Sequence, residues 1–179
     1  ILLQRTLPLS GKETTGTFTE TCAEQGAELL VATIRAIESG TATPVEQDET
    51  QATYCPLIEK DAGRIDWTQP VEVVERMIRA YLPWPTAFTT LRGQRLSILG
   101  AHIAQTVING GTSHAADAAP GTVVDIDKQR GILVQTGTGT LAVDYLQLQS
   151  KKPLYFRDFL NGQPGGSNAF TGIRLGGEV

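Results

Sequence analysis

Residues that could carry out catalysis are few in this sequence, and none stands in a pattern that a reaction requires. His102 lies in a predicted strand and His114 in a Gly/Ala-rich loop, each without the neighbours expected of a metal site or a catalytic triad. Asp61 and Asp66 flank Arg64 and could form an acid–base pair, although a capping residue and a solvated ion pair fit them better. The search yields no catalytic residue and no metal site.

Basic residues form a more suggestive pattern, because most of them gather in predicted loops beside β-strands. Small β-barrels often bind nucleic acid through their strands and loops, so these side chains could hold an RNA backbone. Ordinary solvated loops are the alternative interpretation. The candidate contacts are Lys60, Arg64, Arg92, Arg95, Lys128, Arg130, Lys151, Lys152 and Arg157.

The composition is that of a soluble globular protein: of the 179 residues, 40% are apolar and 19% are charged. No run of about 18 apolar residues could span a membrane, and no signal peptide pattern stands at the start. Cys22 and Cys55 are far apart in sequence, and we predict two buried thiols in a reducing compartment. These features predict a cytoplasmic protein. The start at Ile1, inside a predicted strand, suggests a piece of a longer chain.

The formal net charge of −4 is distributed unevenly along the chain. Residues 1–50 carry −5, residues 51–85 carry −1 and residues 86–179 carry +2. A mildly basic C-terminal half beside an acidic N-terminal third indicates two different surroundings. The excess is too small to predict nucleic-acid binding by itself.

The N-terminal part predicts a strand and a helix. The segment LLQRTLPL alternates loosely and reads as a short strand. A capping box of Thr17 and Glu20, apolar residues at helical spacing and a stop at Gly40 predict a helix over 17–39, which needs a partner to bury its apolar stripe. The polar segment that follows predicts a linker with a short strand near Thr53–Ile58.

A second helix is predicted before the stretch YLPWPTAF. Asp66 or Thr68 could cap it, with Pro70 in its first turn, and Pro83 would end it. Trp84, between two prolines, could be a binding platform or part of a rigid corner. We favour the corner, in which the apolar body of Trp84 pins the helix to a barrel.

The remaining sequence predicts mostly β-structure. Arg92-Gly93 predicts a hairpin turn, and the region after residue 120 predicts three short strands separated by glycine turns. The Gly137–Gly139 stretch lacks the third glycine and the following helix of a phosphate-binding loop, so we predict a hairpin turn there. NGGTSHAADAAP predicts a flexible loop, YFRDFLNG a short helix that ends at Gly162, and the glycine-rich tail loose order.

Several stretches occur in a specific order: ETTGTF, GAELLVATIRAIESGTATPVEQDETQATYC, GRIDW, PWPTAF and LQLQSKKPLYFRDFLNG. At these spacings they resemble the C-terminal half of methionyl-tRNA formyltransferase, over about residues 1–162. The resemblance implies a fold that is mainly β with helices. Residues 1–40 would be the last strand and helix of a Rossmann-like α/β formyltransferase domain, residues 41–62 a linker, and residues 63–179 a small OB-like β-barrel domain with a flexible tail over 163–179.

The family transfers a formyl group from 10-formyltetrahydrofolate to the amino group of methionine on initiator tRNA. It uses an Asn, a His and an Asp of the N-terminal domain, and none of the three matches a residue of this chain. The resemblance therefore implies a piece that contains no catalytic and no cofactor-binding residue and that is inactive alone. The formyl donor would bind elsewhere in the parent enzyme.

In the family, this domain and its linker present basic residues to the tRNA. Lys60 and Arg64 match basic linker positions, and Lys151–Lys152 match a Gly-Lys-Lys stretch. Ser150 takes the place of the usual glycine, and Leu57 stands where many relatives carry a lysine that could contact phosphate. The resemblance implies a monomer that holds initiator Met-tRNA weakly through the phosphate backbone.

A second hypothesis assigns the chain to a related formyltransferase that acts on a nucleotide sugar or hydrolyses formylfolate. In that case the barrel would serve as a spacer or interaction module. The acidic total charge favours this alternative, whereas GRIDW and QSKK favour the first hypothesis.

Overall fold

The computed structural model of the chain describes residues 1–104 and 118–177. The chain divides into two units, which we call unit 1 (residues 1–58) and unit 2 (residues 59–179). The division falls inside the predicted linker, and the assignment of residues 1–40, 41–62 and 63–179 to separate domains stays a prediction. His114 and most of the predicted loop around it lie outside the described residues.

Unit 1 is built on one long helix, α1 (Thr15–Glu38), which confirms the helix predicted over 17–39. The capping box lies three residues earlier than predicted. The Thr14 hydroxyl accepts the backbone N–H of Thr17 at 3.2 Å, and the Thr17 hydroxyl accepts that of Thr14 at 3.0 Å. Thr14 is the last residue with extended backbone, so it rather than Thr17 can act as the N-cap. The predicted stop at Gly40 is confirmed by its positive φ of 69°.

Three other predictions for unit 1 are wrong. LLQRTLPL and Thr53–Ile58 form no strand, because unit 1 contains no second strand to which they could pair. Cys22 and Cys55 are free but exposed, since α1 buries no residue and Cys55 lies in an extended, exposed segment. The apolar stripe of α1 is correspondingly exposed at Leu30 and Ile37. The Rossmann-like assignment of this part stays a prediction.

The described residues of unit 2 are mainly β and form an antiparallel sheet curved into a half-barrel. The strand order is β1-β2-β5-β4-β3, and β6 pairs with one end of β5. The mainly β architecture is confirmed, whereas an OB-like barrel stays a prediction. The strands are β1 (Phe88–Leu91), β2 (Gln94–Ile103), β3 (Val123–Asp127), β4 (Gly131–Gln135), β5 (Thr140–Leu148) and β6 (Leu154–Tyr155).

Two α-helices accompany the sheet in the described part of unit 2. Helix α2 (Val71–Ala80) has Pro70 as its N-cap residue, and no side chain caps the first turn. The prediction that Asp66 or Thr68 caps this helix is therefore wrong. Three residues of its apolar face are buried in the core with the inward side chains of the strands. Helix α3 (Phe156–Asn161) ends at Gly162, as predicted.

The predicted hairpins are present. Arg92 and Gly93 connect β1 to β2, both with positive φ, and Gly137–Gly139 lies in the turn between β4 and β5. A Cβ atom added at Gly137 would lie 1.8 Å from the carbonyl oxygen of Thr68. The glycine therefore permits a close approach of two backbone segments, which is a structural role and not phosphate binding.

The glycine-rich tail is packed where it is described, in contrast to the predicted loose order. Phe170 and Leu175 are buried in the core cluster. The backbone N–H of Leu175 donates to Gly121 at 2.8 Å, and that of Gly176 donates to Thr90 at 2.9 Å. The tail therefore connects the start of β3 with β1, which are the two edges of the sheet. Two apolar side chains anchor it despite the many glycines around them.

In the part of the chain that the structure describes, no helix has the length and apolar character needed to cross a membrane.

Candidate nucleic-acid interface

The first two candidate basic residues of unit 2 lie on or directly after a short turn. Lys60 begins a 3-10 turn (Lys60–Gly63), and Arg64 follows it directly. Gly63 is buried, and a Cβ atom there would lie 2.3 Å from the carbonyl oxygen of Thr86, so the turn packs closely on the segment before β1. Ile65 N–H then donates to the carbonyl of Phe88 at 2.8 Å. This bond aligns Arg64 beside β1.

Arg64 and Arg95 meet at Phe88. The guanidinium carbon of Arg95 lies 3.5 Å from the centroid of the Phe88 ring, and that of Arg64 lies 5.4 Å from it. Arg95 is on β2, opposite Thr90 of β1, and Phe88 is opposite Ser97. Directly paired residues of antiparallel strands share a face, so the sheet register places Arg95 next to the aromatic ring.

The turn that carries Lys151 and Lys152 is attached to the same strand. Gln149 N–H donates to the carbonyl of Arg95 at 2.9 Å, and Lys151 N–H donates to that of Leu148 at 3.0 Å. The side-chain amide of Gln147 donates to the Lys151 carbonyl at 2.7 Å. Both lysines are exposed. The structure therefore places this basic turn beside Arg95.

Six of the nine candidates thus belong to one region, which we call the β1–β2 basic face. Arg92 joins it because it forms the β1–β2 turn, three residues from Arg95, and it is exposed. Glu59 and Asp61 lie on the same turn as Lys60, but neither forms an ion pair with a residue of this face among the described residues. The face consists of Lys60, Arg64, Arg92, Arg95, Lys151 and Lys152.

The other three candidates form a separate group at the turn between β3 and β4. Both Arg157 Nε, at 3.1 Å, and Arg157 Nη2 donate to the carbonyl of Lys128, which ties α3 to this turn. Arg130 lies 3.9 Å from the carboxylate of Asp127. Backbone N–H groups of Gln129 and Arg130 lower the pKa of Asp127 below its ordinary value, the Gln129 bond being the stronger cause. Arg157 and Arg130 thus have partners within the fold. The role of all nine residues in RNA binding stays a prediction.

The carboxylates considered for catalysis, and His102, are engaged in local structure or exposed. Asp66 accepts hydrogen bonds from the Thr68 hydroxyl at 2.6 Å and from the Gln69 amide at 3.0 Å. These bonds, with the Thr68 hydroxyl first, lower the pKa of Asp66 below its ordinary value. His102 lies 3.5 Å from Asp144, with both side chains substantially exposed. Among residues 1–104 and 118–177, no group of three or more His, Cys, Asp or Glu side chains could hold a metal ion.

The predicted role of Trp84 is wrong. Its side chain is 52% exposed and lies outside the core cluster. Pro85 and Ala87 take the buried positions after the corner, which leaves Trp84 directed away from the core. The tryptophan that does pack in the core is Trp67, whose ring N–H donates to the Thr89 hydroxyl at 3.0 Å.

Sequence reasoning missed Phe88 as part of the candidate site. The signal available was the alternation along 87–91, in which Ala87, Thr89 and Leu91 take the inward face and Phe88 the outer face. An aromatic residue on the outer face of a strand, among basic residues, is a reason to search for cation–π contacts.

Residues 57–164 match the family model described as formyl transferase, C-terminal domain. The chain belongs to this family. The resemblance indicated by its motifs is thereby confirmed.

A methionyl-tRNA formyltransferase from Treponema denticola is 40% identical over 164 residues, which are 92% of this chain and 50% of that protein. One from Roseiflexus sp. is 42% identical over 162 residues, 90% of this chain and 47% of that protein. This chain of the formyl transferase C-terminal family spans about half the length of these curated relatives.

Solved structures share the fold of this formyl transferase C-terminal chain at low identity. HypX from Aquifex aeolicus, in a four-substitution variant, matches with a TM-score of 0.64 and 19% identity, over 88% of this chain and 27% of HypX. HypX in complex with tetrahydrofolic acid matches with a TM-score of 0.63 at the same identity, over 87% of this chain and 26% of that one. These matches support the fold. The curated relatives do not favour the nucleotide-sugar or formylfolate alternative.

Proposed function

We propose that this chain is the tRNA-holding C-terminal part of a methionyl-tRNA formyltransferase, an enzyme of translation initiation. The parent enzyme would transfer a formyl group from 10-formyltetrahydrofolate to the amino group of methionine on initiator tRNA. The family match and the relatives at about 40% identity support this proposal. We further propose that the chain is a monomer and has no formyltransferase activity alone.

The observation that carries the proposal is the β1–β2 basic face. Its six cations come from a 3-10 turn and the residue after it, from strand β2 and from two turns, and the backbone hydrogen bonds and sheet register bring them to one region of unit 2. Lys and Arg side chains contact the phosphate backbone and give affinity and register without reading sequence. This face is therefore suited to holding an RNA while another site selects the acceptor end.

Fluorescence anisotropy with labelled initiator tRNA tests the proposal. We expect the 179-residue chain to bind weakly, and the association constant to fall steeply as salt rises from about 50 to 200 mM, because each phosphate contact releases a counterion. A variant with Lys151 and Lys152 changed to Gln should bind at least severalfold more weakly. The matched control changes Lys12 of unit 1 to Gln and should bind like the parent chain.

Two results would contradict the proposal. One is the absence of binding at low salt, and the other is binding that does not depend on salt. A formyl-transfer assay is the companion measurement: the chain alone should give no formylated Met-tRNA, and measurable turnover would show that catalytic groups are present in it.

A further inference from the structure

We propose that Arg64 and Arg95 form a two-arginine phosphate clamp and that Phe88 is the positioning residue that holds their guanidinium groups. The ligand would be adjacent phosphates of an RNA backbone. This inference rests on the proposed function for the identity of the RNA, but its geometry comes from the contacts within unit 2.

Phe88 is buried outside the main hydrophobic core of unit 2. It is 4% exposed, yet it does not belong to the hydrophobic core cluster, to which its neighbours Ala87 and Leu91 do belong. Side chains alternate along a strand, so Phe88 lies on the outer face of the half-barrel. The turn at Gly63 lies against its ring, since a Cβ atom added there would be 3.4 Å from Phe88 Cδ1. Its ring is further covered by the two arginine side chains.

The two guanidinium groups share this ring. Their guanidinium carbons lie 5.4 Å and 3.5 Å from the same ring centroid, so the two positive charges are near each other. Two neighbouring cations repel each other unless another group compensates their charge. The negative face of the aromatic ring offsets part of that repulsion, and an anion would offset more of it.

Each guanidinium carbon lies over the Phe88 ring within the distance of a cation–π contact. Among the described residues, neither Arg64 nor Arg95 donates a side-chain hydrogen bond or forms an ion pair. Arg79 and Arg157 of unit 2 differ in this respect, since Arg79 pairs with Glu75 at 2.6 Å and Arg157 donates to a backbone carbonyl. The two guanidinium groups are therefore held over Phe88 and have no hydrogen-bonding partner among the described residues.

Phosphate is the ligand that this arrangement favours. A guanidinium edge matches two oxygens of a phosphate in a bidentate contact, and an arginine already held against a ring loses less conformational entropy when it binds. The lysine turn at Lys151–Lys152, attached to the backbone of Arg95, extends the positive surface along a path that suits a polyanion rather than a single small anion. Contacts of this kind do not distinguish base sequences.

The test measures binding of two RNA probes, initiator tRNA and an unrelated RNA duplex, as a function of salt. Arg64→Ala and Arg95→Ala should each weaken binding of both probes about three- to tenfold, and the double variant should lower the slope of log K against log salt by about two. Arg76→Ala is the matched control, because Arg76 is exposed on α2 and lies outside all candidate contacts. It should bind like the parent chain.

Phe88 is tested by a double-mutant cycle. Phe88→Leu keeps both charges and should weaken binding about threefold in the parent chain, but it should have no further effect in the Arg64→Ala, Arg95→Ala background. Phe88→Tyr keeps the ring and should bind like the parent chain. Circular dichroism verifies that each variant is folded. If Phe88→Leu does not fold, Phe88→Met, which also removes the ring and keeps both charges, takes its place in the cycle.

The outcomes separate this inference from the proposed function. Arginine variants that match Arg76→Ala while the parent chain binds both probes would overturn the clamp and leave the proposed function intact. An equal effect of Phe88→Leu in both backgrounds would overturn the positioning role. A parent chain that binds neither probe would overturn both proposals. A nuclear magnetic resonance titration with inorganic phosphate that shifts the Arg64 and Arg95 Nε–H signals, without RNA binding, would identify a small-anion site instead.

Discussion

Trp67 and Trp84 are the two tryptophans of the chain, and their surroundings assign them different roles. Trp67 is 5% exposed and satisfies its ring N–H with Thr89, whereas Trp84 is 52% exposed. We expect Trp67→Ala to lower the free energy of unfolding by about 3–5 kcal/mol, because it removes a large core side chain. Trp84→Ala should lower it by less than about 1 kcal/mol. Urea unfolding of both variants measures the contrast, and equal losses would contradict it.

Ser150 adopts a backbone conformation that favours glycine. Its φ is 61°, in the left-handed region, where a Cβ atom is unfavourable. Ser150→Gly should therefore raise the free energy of unfolding by about 0.5–1 kcal/mol. Ser39→Gly is the control, since Ser39 has a φ of −81° and should gain nothing from the change. Thermal unfolding compares the two, and a loss of stability in Ser150→Gly would contradict the strain argument.

Asp66 gives a prediction about pH. Its folded-state pKa lies below the ordinary value of 3.8, with the Thr68 hydroxyl as the first cause. A lowered pKa means that the ionised carboxylate stabilises the fold, so its contribution is present above 3.8 and is lost as pH falls below that value. Asp66→Ala should be less stable than the parent chain at pH 7, and the difference should shrink toward pH 3.

Urea unfolding at pH 7, 5 and 3 tests this sign, with Asp61→Ala as the control on the preceding turn. A difference between Asp66→Ala and the parent chain that grew as the pH fell would contradict the assignment.

The C-terminal tail connects the two edge strands of unit 2. Leu175 is 3% exposed and bonds through its backbone to Gly121 before β3. Leu175→Ala should lower the free energy of unfolding by about 2–4 kcal/mol. Leu57, which is 94% exposed, supplies the control, since Leu57→Ala should change stability little. Chemical denaturation of both variants compares them, and a neutral Leu175→Ala would mean that the tail does not contribute to the fold.

Local patterns predicted the elements whose determinants lie within a few residues. Arg92-Gly93 specifies the β1–β2 hairpin because both residues adopt positive φ, and apolar spacing placed both α1 and α2. The capping box of α1 was misplaced because several threonines compete, and only backbone geometry selects Thr14. The packed tail could not be predicted from glycine content, since its burial depends on contacts with Gly121 and Thr90, far away in sequence.

At the scale of the whole chain, the motif order identified the family, but the arrangement of the candidate site required the fold. Arg64 and Arg95 are distant in sequence and meet because the bond from Ile65 to Phe88 and the β1–β2 register bring them to one ring. The list of basic residues was available from the sequence. The separation of the β1–β2 basic face from the group at Arg157 was not, because it depends on which hydrogen bonds the fold completes.

We propose that the β1–β2 basic face of unit 2 holds RNA, and an amide nuclear magnetic resonance titration of the 179-residue chain with initiator tRNA tests this proposal. We predict that the backbone signals that shift or broaden first belong to residues 60–64, 88–95 and 149–152, and that added salt reverses the change. First changes at residues 127–130 and 157, or no change at low salt, would show that this face does not hold the RNA.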